Sequence, residues 1–247
     1  EVNDAETPDP DYDPSVADVN MLEDKLPDWF RMPAISAGFA FLIGMTYFFF
    51  DRLQPITHTD VWGHLSYGRH IWEHGAIPAT EPLMPLSAGV SFVDSAWLTQ
   101  VLGYGGYLLA GKAAITFLFA VAVAASLGIL TRRVYSRTHS ALFATVAFGL
   151  TLWVEYQQFA VPRPQMAGFL FFCMLLSMLL KRKWSPKNWV VVPVMFALWA
   201  NMHGSFIVGL GLLGCFVAGR TVDLLRRTGH VGMLLRDNRL RRLFLLT

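Results

Sequence analysis

Six long apolar runs divide this chain of 247 residues, at 33–50, 113–130, 141–159, 166–180, 189–201 and 206–225. About 20 apolar residues suffice to cross the hydrocarbon core of a bilayer. In lipid the backbone must satisfy its own hydrogen bonds, so such runs become helices. The pattern therefore predicts an all-α integral membrane protein with about six transmembrane helices, the run at 189–201 being the shortest. A further apolar, helix-like stretch at 97–109 leads into the second run. Hydrophobic residues make up 54% of the chain and charged residues only 15%, against about 25% charged in soluble domains. A soluble enzyme with one core, a disordered protein and a nucleic-acid binder with dispersed basic charge all fit badly. The expected partners are a lipid bilayer and no nucleic acid.

The charges are unevenly spread. Ten of the eighteen acidic residues, but only two of the twenty basic ones, fall in residues 1–32. With Pro8, Pro10 and Pro14 among them, this segment reads as a disordered acidic tail, followed by a polytopic membrane domain over 33–247. Trp29 is expected at headgroup level just before the first run. If the runs simply alternate, fourteen basic residues share one side: Arg132, Arg133 and Arg137, then Lys181, Arg182, Lys183 and Lys187, then seven arginines from Arg220 onward. The other side receives Arg52, Arg69, Lys112 and Arg163. The positive-inside rule puts the larger group, and with it the tail, in the cytoplasm. Residues 51–96 then form a long outer loop. Residues 1–20 lack the basic and apolar regions of a secretory signal. The first residue is Glu1, and a new apolar run is just beginning at the last, which points to part of a longer product. Cys173 and Cys215 lie inside apolar runs and read as small hydrophobes rather than as metal ligands or a disulfide.

This topology gathers the polar residues on one face. Asp60, His64, Arg69, His70, His74 and Asp94 belong to the outer loop; Glu155, Gln157, Gln158, Arg163 and Gln165 surround the next outer turn; Asn201 and His203 occupy the third. Ionisable groups at membrane depth are costly and mark functional sites by default. Residues 60–74 read as one amphipathic surface helix, with Thr59 as N-cap and Gly75 as stop. Val61, Leu65, Gly68 and Trp72 share a face expected to lie on the membrane. Asp60, in the first turn, is stabilised as an anion by the helix dipole and serves either as a metal ligand or base, or simply as part of the cap. His70-Ile71-Trp72-Glu73-His74 fits the H-x-x-E-H zinc-peptidase pattern, but three fixed letters recur by chance and the fold needs another acidic ligand downstream. Further on, Gly89-Val90-Ser91-Phe92-Val93 suggests a short strand, and Asp94-Ser95 a cap for the helix opening at Trp97.

Asp60-x-Trp62-x-His64-Leu65-x-x-Gly68, Gly75-x-Ile77-Pro78, Gly89-x-x-Phe92, Trp97-Leu98, Arg163-Pro164-Gln165 and Trp199-Ala200-Asn201-Met202-His203-Gly204 together resemble a group of bacterial multispanning proteins of the GT-C glycosyltransferase type. The resemblance covers about residues 33–225. It implies transfer of a sugar from a polyprenyl-phosphate donor to an acceptor hydroxyl on the outer face of the bacterial inner membrane. Asp60, the acidic residue of the first outer loop, would be the catalytic base; Arg163 would clamp the lipid phosphate; His64 and His203 would orient acceptor or phosphate, with Gln165 and Asn201 among the substrate-binding residues. Many such enzymes carry a paired acidic motif, whereas Asp60 stands between Thr59 and Val61. No metal ligands are therefore assigned, and the cofactor stays open, a divalent metal included. Such enzymes also usually have more spans. Plainer roles exist for Arg163, as a lipid anchor or partner of Glu155, and for His203, bonded to Asn201 or a backbone carbonyl. The competing reading is a non-catalytic subunit of a larger membrane complex, with other membrane subunits as partners, built on the same scaffold. A transporter has little support, since no inverted repeat is visible.

Overall fold

The computed structural model describes residues 33–56, 60–181, 185–238 and 240–241. The acidic tail with Trp29, the cap residue Thr59, and the basic Arg182 and Lys183 lie outside the described residues. The chain divides into two units after Gly38. Within the first, the described residues 33–38 open a helix; everything below concerns the second, from Phe39 onward.

All six apolar runs are helical. The first is α1 (Ala34–Phe48), which runs on as one π-helical turn, Phe49–Leu53. Then come α2 (Asp60–His74), α3 (Trp97–Ala110), α4 (Lys112–Thr138), α5 (Ala141–Val154), the single turn α6 (Tyr156–Phe159), α7 (Gln165–Leu179), α8 (Asn188–Met202), α9 (Phe206–Thr228) and α10 (Gly232–Arg236). Three of them are long and apolar enough to cross a membrane: Ala34–Leu53 with 20 residues, Lys112–Thr138 with 27 and Phe206–Thr228 with 23. The other three runs form helices of 14 or 15 residues. At 1.5 Å per residue these reach only about 22 Å. The run at 141–159 is cut short because the helix breaks at Glu155, which leaves the α5 conformation and starts α6.

Two apolar clusters hold these helices. The first surrounds α4: Phe119, Ala120, Val123 and Leu127 meet Phe50 of the π-turn, Phe148 of α5, Phe159 of α6 and Met166 of α7. The second surrounds Trp199 of α8, which is 1% exposed and packs among Leu175, Leu179, Val192, Met195 and Leu213. Its ring stacks on Phe196 at 5.6 Å and tilts against Phe171 at 5.9 Å. Two glycines make room for it. A Cβ on Gly209 of α9 would come within 2.4 Å of the Trp199 ring, and one on Gly168 of α7 within 2.9 Å of its Nε1.

The helix α2 corrects one expectation. Its apolar face does not open toward a membrane but packs on α3: Val61, Leu65, Gly68 and Ile71 are buried, while Trp72 is about half exposed. The axes approach so closely that a Cβ on Gly68 would sit 2.1 Å from the Gln100 carbonyl oxygen. The predicted strand shrinks to one antiparallel bridge, Thr80 to Ser91. The loop around it is nonetheless built. Tyr67 donates to Glu81 at 2.9 Å and stacks on Phe92 at 5.3 Å, and Glu81 also accepts from the amides of Leu83 and Met84. Burial, with the Glu81 bond added, pushes the Tyr67 hydroxyl up to about 12. Cys173 is buried as expected, whereas Cys215 faces outward on α9.

Candidate active site

The loop ends gather where the sequence analysis placed them, through side chains from three separate segments. Asp60, the first residue of α2, meets Arg163, in the turn between α6 and α7, with 2.8 Å between carboxylate and guanidinium. Trp97 Nε1, at the start of α3, donates to Asn201 Oδ1 at 2.8 Å, and Thr99 Oγ1 donates to the Met202 carbonyl at 2.8 Å. Gln54, just past the π-turn, donates to the Ala160 carbonyl at 3.2 Å. Each bond ties one segment's end to another's, so Asp60, His64, Asp94, Arg163, Asn201 and His203 occupy one end of the helical unit.

Asp60 is bonded neither as a simple cap nor as one half of an acidic pair. Its carboxylate faces the Arg163 guanidinium, and both side chains stay partly open, at 41% and 29% exposure. An incoming anion or hydroxyl can therefore reach either. The expected partner of Arg163, Glu155, is not the residue it pairs with here.

His64, one turn after Asp60, points toward α3. Gln100 Nε2 stands 3.4 Å from His64 Nδ1 and donates to Asp94 Oδ1 at 3.1 Å, and the same oxygen accepts the Ala96 amide at 2.9 Å. Asp94 therefore anchors the helix opening, although the cap position itself belongs to Ala96. Desolvation holds the His64 imidazole below its ordinary value, against the pull of Asp60 and Asp94 and with help from Arg163. Desolvation likewise raises the Asp94 carboxyl, opposed by its hydrogen bonds and by His64. Asp94 Oδ2 and Gln100 Oε1 are buried with no hydrogen-bond partner among the described residues.

His203 ends α8, and its Nδ1 accepts the Ser205 amide at 3.1 Å. The bond expected to Asn201 or to a backbone carbonyl is thus replaced by one to a backbone N–H. Asn201 itself bridges Trp97 and the Ala197 carbonyl. Burial, and the nearby His64, lower the His203 imidazole. His203 also lines a groove of about 400 Å³. Phe159, Phe169, Phe172 and Trp199 form its apolar wall, and Gln158, Gln165 and Ser205 add polar groups. Gln165 donates to Gln158 at 2.9 Å there.

The H-x-x-E-H segment is engaged in other ways. Glu73 pairs with Arg69 at 2.7 Å, and the His70 and His74 rings stack at 4.0 Å. Among the described residues, no group of three or more His, Cys, Asp or Glu side chains is arranged to hold a metal ion. Since Asp60 is turned to Arg163, the donor set here does not fit a metal-bound acidic pair. Gln100 and Trp97 are the site residues that sequence reasoning missed. The signal available was an amide in a helix of otherwise apolar and aromatic character; Gln100 is only 4% exposed.

No family model matches the chain, and neither does any curated protein or solved structure.

Proposed function

We propose that this chain is a GT-C-type membrane glycosyltransferase of the bacterial inner membrane, transferring a sugar from a polyprenyl-phosphate donor to an acceptor hydroxyl on the extracytoplasmic face. The observation that carries this reading is the Asp60–Arg163 pair, a base and an anion clamp in contact and both open to a ligand. The turn bearing Arg163 also contributes Gln158, Phe159 and Gln165 to the groove, whose aromatic wall suits an isoprenoid chain.

In this mechanism the donor phosphate draws the Arg163 guanidinium away from Asp60, a fork that matches phosphate geometry. The freed carboxylate takes the proton of the acceptor hydroxyl. The acceptor oxygen then bonds to the anomeric carbon as that carbon's bond to the phosphate oxygen breaks. The electron pair leaves with the phosphate, whose charge Arg163 meets. Neither step is routed through a metal.

All six apolar helices cross the membrane in this reading, the three shorter ones with local thinning or snorkelling at their ends. The amino terminus is cytoplasmic. Arg133 donates to Ser177 at 3.0 Å and Arg137 to the Leu180 carbonyl. These contacts support the alternation, because they join the basic ends of α4 and α7, two spans apart.

One observation favours the alternative, a non-catalytic subunit of a larger complex: Asp60 is already neutralised by Arg163. The two readings separate in membranes holding the full chain, given a polyprenyl phosphate that carries a radiolabelled hexose. As a transferase, Asp60→Asn and Arg163→Ala each lower transfer about 100-fold or more, the usual scale of a lost general base. Transfer left intact by both substitutions overturns the proposal. A stable assembly with other subunits in native mass spectrometry, without polyprenyl lipid, favours the subunit.

A further inference from the structure

Two hydrogen-bond chains at this site start from backbone amides, and a backbone N–H can only donate. The shorter begins at Ser205, whose N–H points at His203 Nδ1 at 3.1 Å. That nitrogen must therefore present a lone pair, and the proton of the neutral ring sits on Nε2. The longer begins at Ala96, whose N–H is received by Asp94 Oδ1 at 2.9 Å. Because that oxygen is an acceptor, the end of the Gln100 amide lying 3.1 Å from it must be the NH2 group. The same NH2 group, 3.4 Å from His64 Nδ1, then meets a second lone pair. Polarity passes along this chain without a free choice of amide flip or tautomer.

We propose that Gln100 is a positioning residue which, held by Asp94 and the Ala96 amide, fixes His64 as the neutral Nε2–H tautomer, matching the tautomer that the Ser205 amide imposes on His203. The site then meets its ligand with two imidazole N–H donors beside the Arg163 guanidinium. Such a set recognises an oxygen-rich anion or a hydroxyl oxygen. With Nδ1 engaged and Nε2 protonated, neither histidine has a lone pair left for a substrate proton, so that role falls to Asp60. The tautomers hold whatever reaction the chain performs; their use toward a phosphate or hydroxyl rests on the transferase reading.

The charged and titratable groups acting on this cluster are Asp60, Arg163 and His203 around His64, and Tyr67 and Glu81 around Asp94. Asp60 and Asp94 favour an imidazolium, and burial and Arg163 oppose it. The test is nitrogen NMR on the full chain in detergent micelles with ring-labelled histidine. The chain has seven histidines, few enough to assign His64 and His203 by loss of signal in His64→Gln and His203→Gln. At neutral pH both residues should show a bare Nδ1 and a protonated Nε2. Gln100→Leu should release His64 into a mixture of tautomers and leave His203 unchanged. A protonated Nδ1 on His64 in the unsubstituted protein, or an imidazolium at neutral pH, overturns the proposal even if the variant does not fold. So does a Gln100→Leu protein whose His64 spectrum is unaltered. Loss of the transferase reading with these spectra intact would leave the tautomer assignment standing.

Discussion

The helices α3 and α5 have the same length, 14 residues, and both are strongly apolar, yet they use their surfaces in opposite ways. α3 turns its one amide inward. Gln100 is buried against α2 and bonded to Asp94, while Leu102, Leu108 and Leu109 face out. α5 buries only Ala144 and Phe148 and exposes Leu142, Phe143, Val146, Leu150, Trp153 and Val154. A soluble protein rarely leaves an apolar row of that kind uncovered, and a bilayer would cover it, as the proposed topology requires. The comparison teaches that apolar composition does not say which face is the core. Packing partners decide that, and the polar side chains mark where helices meet.

Four changes would break or sharpen this contrast in the detergent-solubilised protein, read by thermal unfolding. The largest effect is expected where three helices converge on one ring. Trp199→Ala empties the second cluster and should destabilise by about 3–5 kcal/mol, the range for deleting a buried aromatic. Next comes the contact of α2 with α3. Gly68→Leu forces the helices apart at a point where even a Cβ clashes with backbone, and should cost about 1–3 kcal/mol or more. Its control is Gly63→Ala in the same helix, where a Cβ meets nothing within 4 Å; replacing a mid-helix glycine should there raise stability by about 0.5–1 kcal/mol.

A pH series should give a smaller effect. The folded protein holds the Asp94 proton more tightly than the unfolded chain does, so this contribution is complete at acid pH and is lost as pH rises through the raised value. His64 and His203 work in the opposite sense. Their lowered values make a contribution that is complete above 6.5 and is lost as pH falls through the folded values. Asp94→Asn should remove the first trend and keep the second; a double trend that persists in Asp94→Asn would show that another carboxyl is responsible. The smallest change is expected on the open face of α5, where Val146→Ala should move stability by no more than about 0.5 kcal/mol. A loss as large as that of Gly68→Leu would mean that this face is packed against something other than detergent.

Much of the architecture was legible in the sequence because hydropathy and helix periodicity are local. The six runs are all helical, α2 spans 60–74 as its periodicity implied, and Asp60, Arg163, Asn201 and His203 do lie at one end of the unit. Hydropathy could not show that Glu155 breaks the third run, because one charge at a run's end reads as a boundary rather than a helix break. Nor could periodicity choose between Ile71 and Trp72 as the buried member of the α2 face. They are neighbours in sequence, and the position of α3 selects Ile71.

The sequence alone determined that this chain forms apolar helices and that its acids, histidines and arginines cluster in the intervening turns, since those properties depend on residues a few positions apart. Only the tertiary structure decided which of these groups touch. The Asp60–Arg163 pair joins residues 103 positions apart, and the Trp97–Asn201 bond spans 104. The donor and acceptor state of His64 depends on Gln100, 36 positions away, and through it on a backbone amide. Charge and hydrogen-bond polarity at a site are set by distance in space, and helix packing fixes those distances.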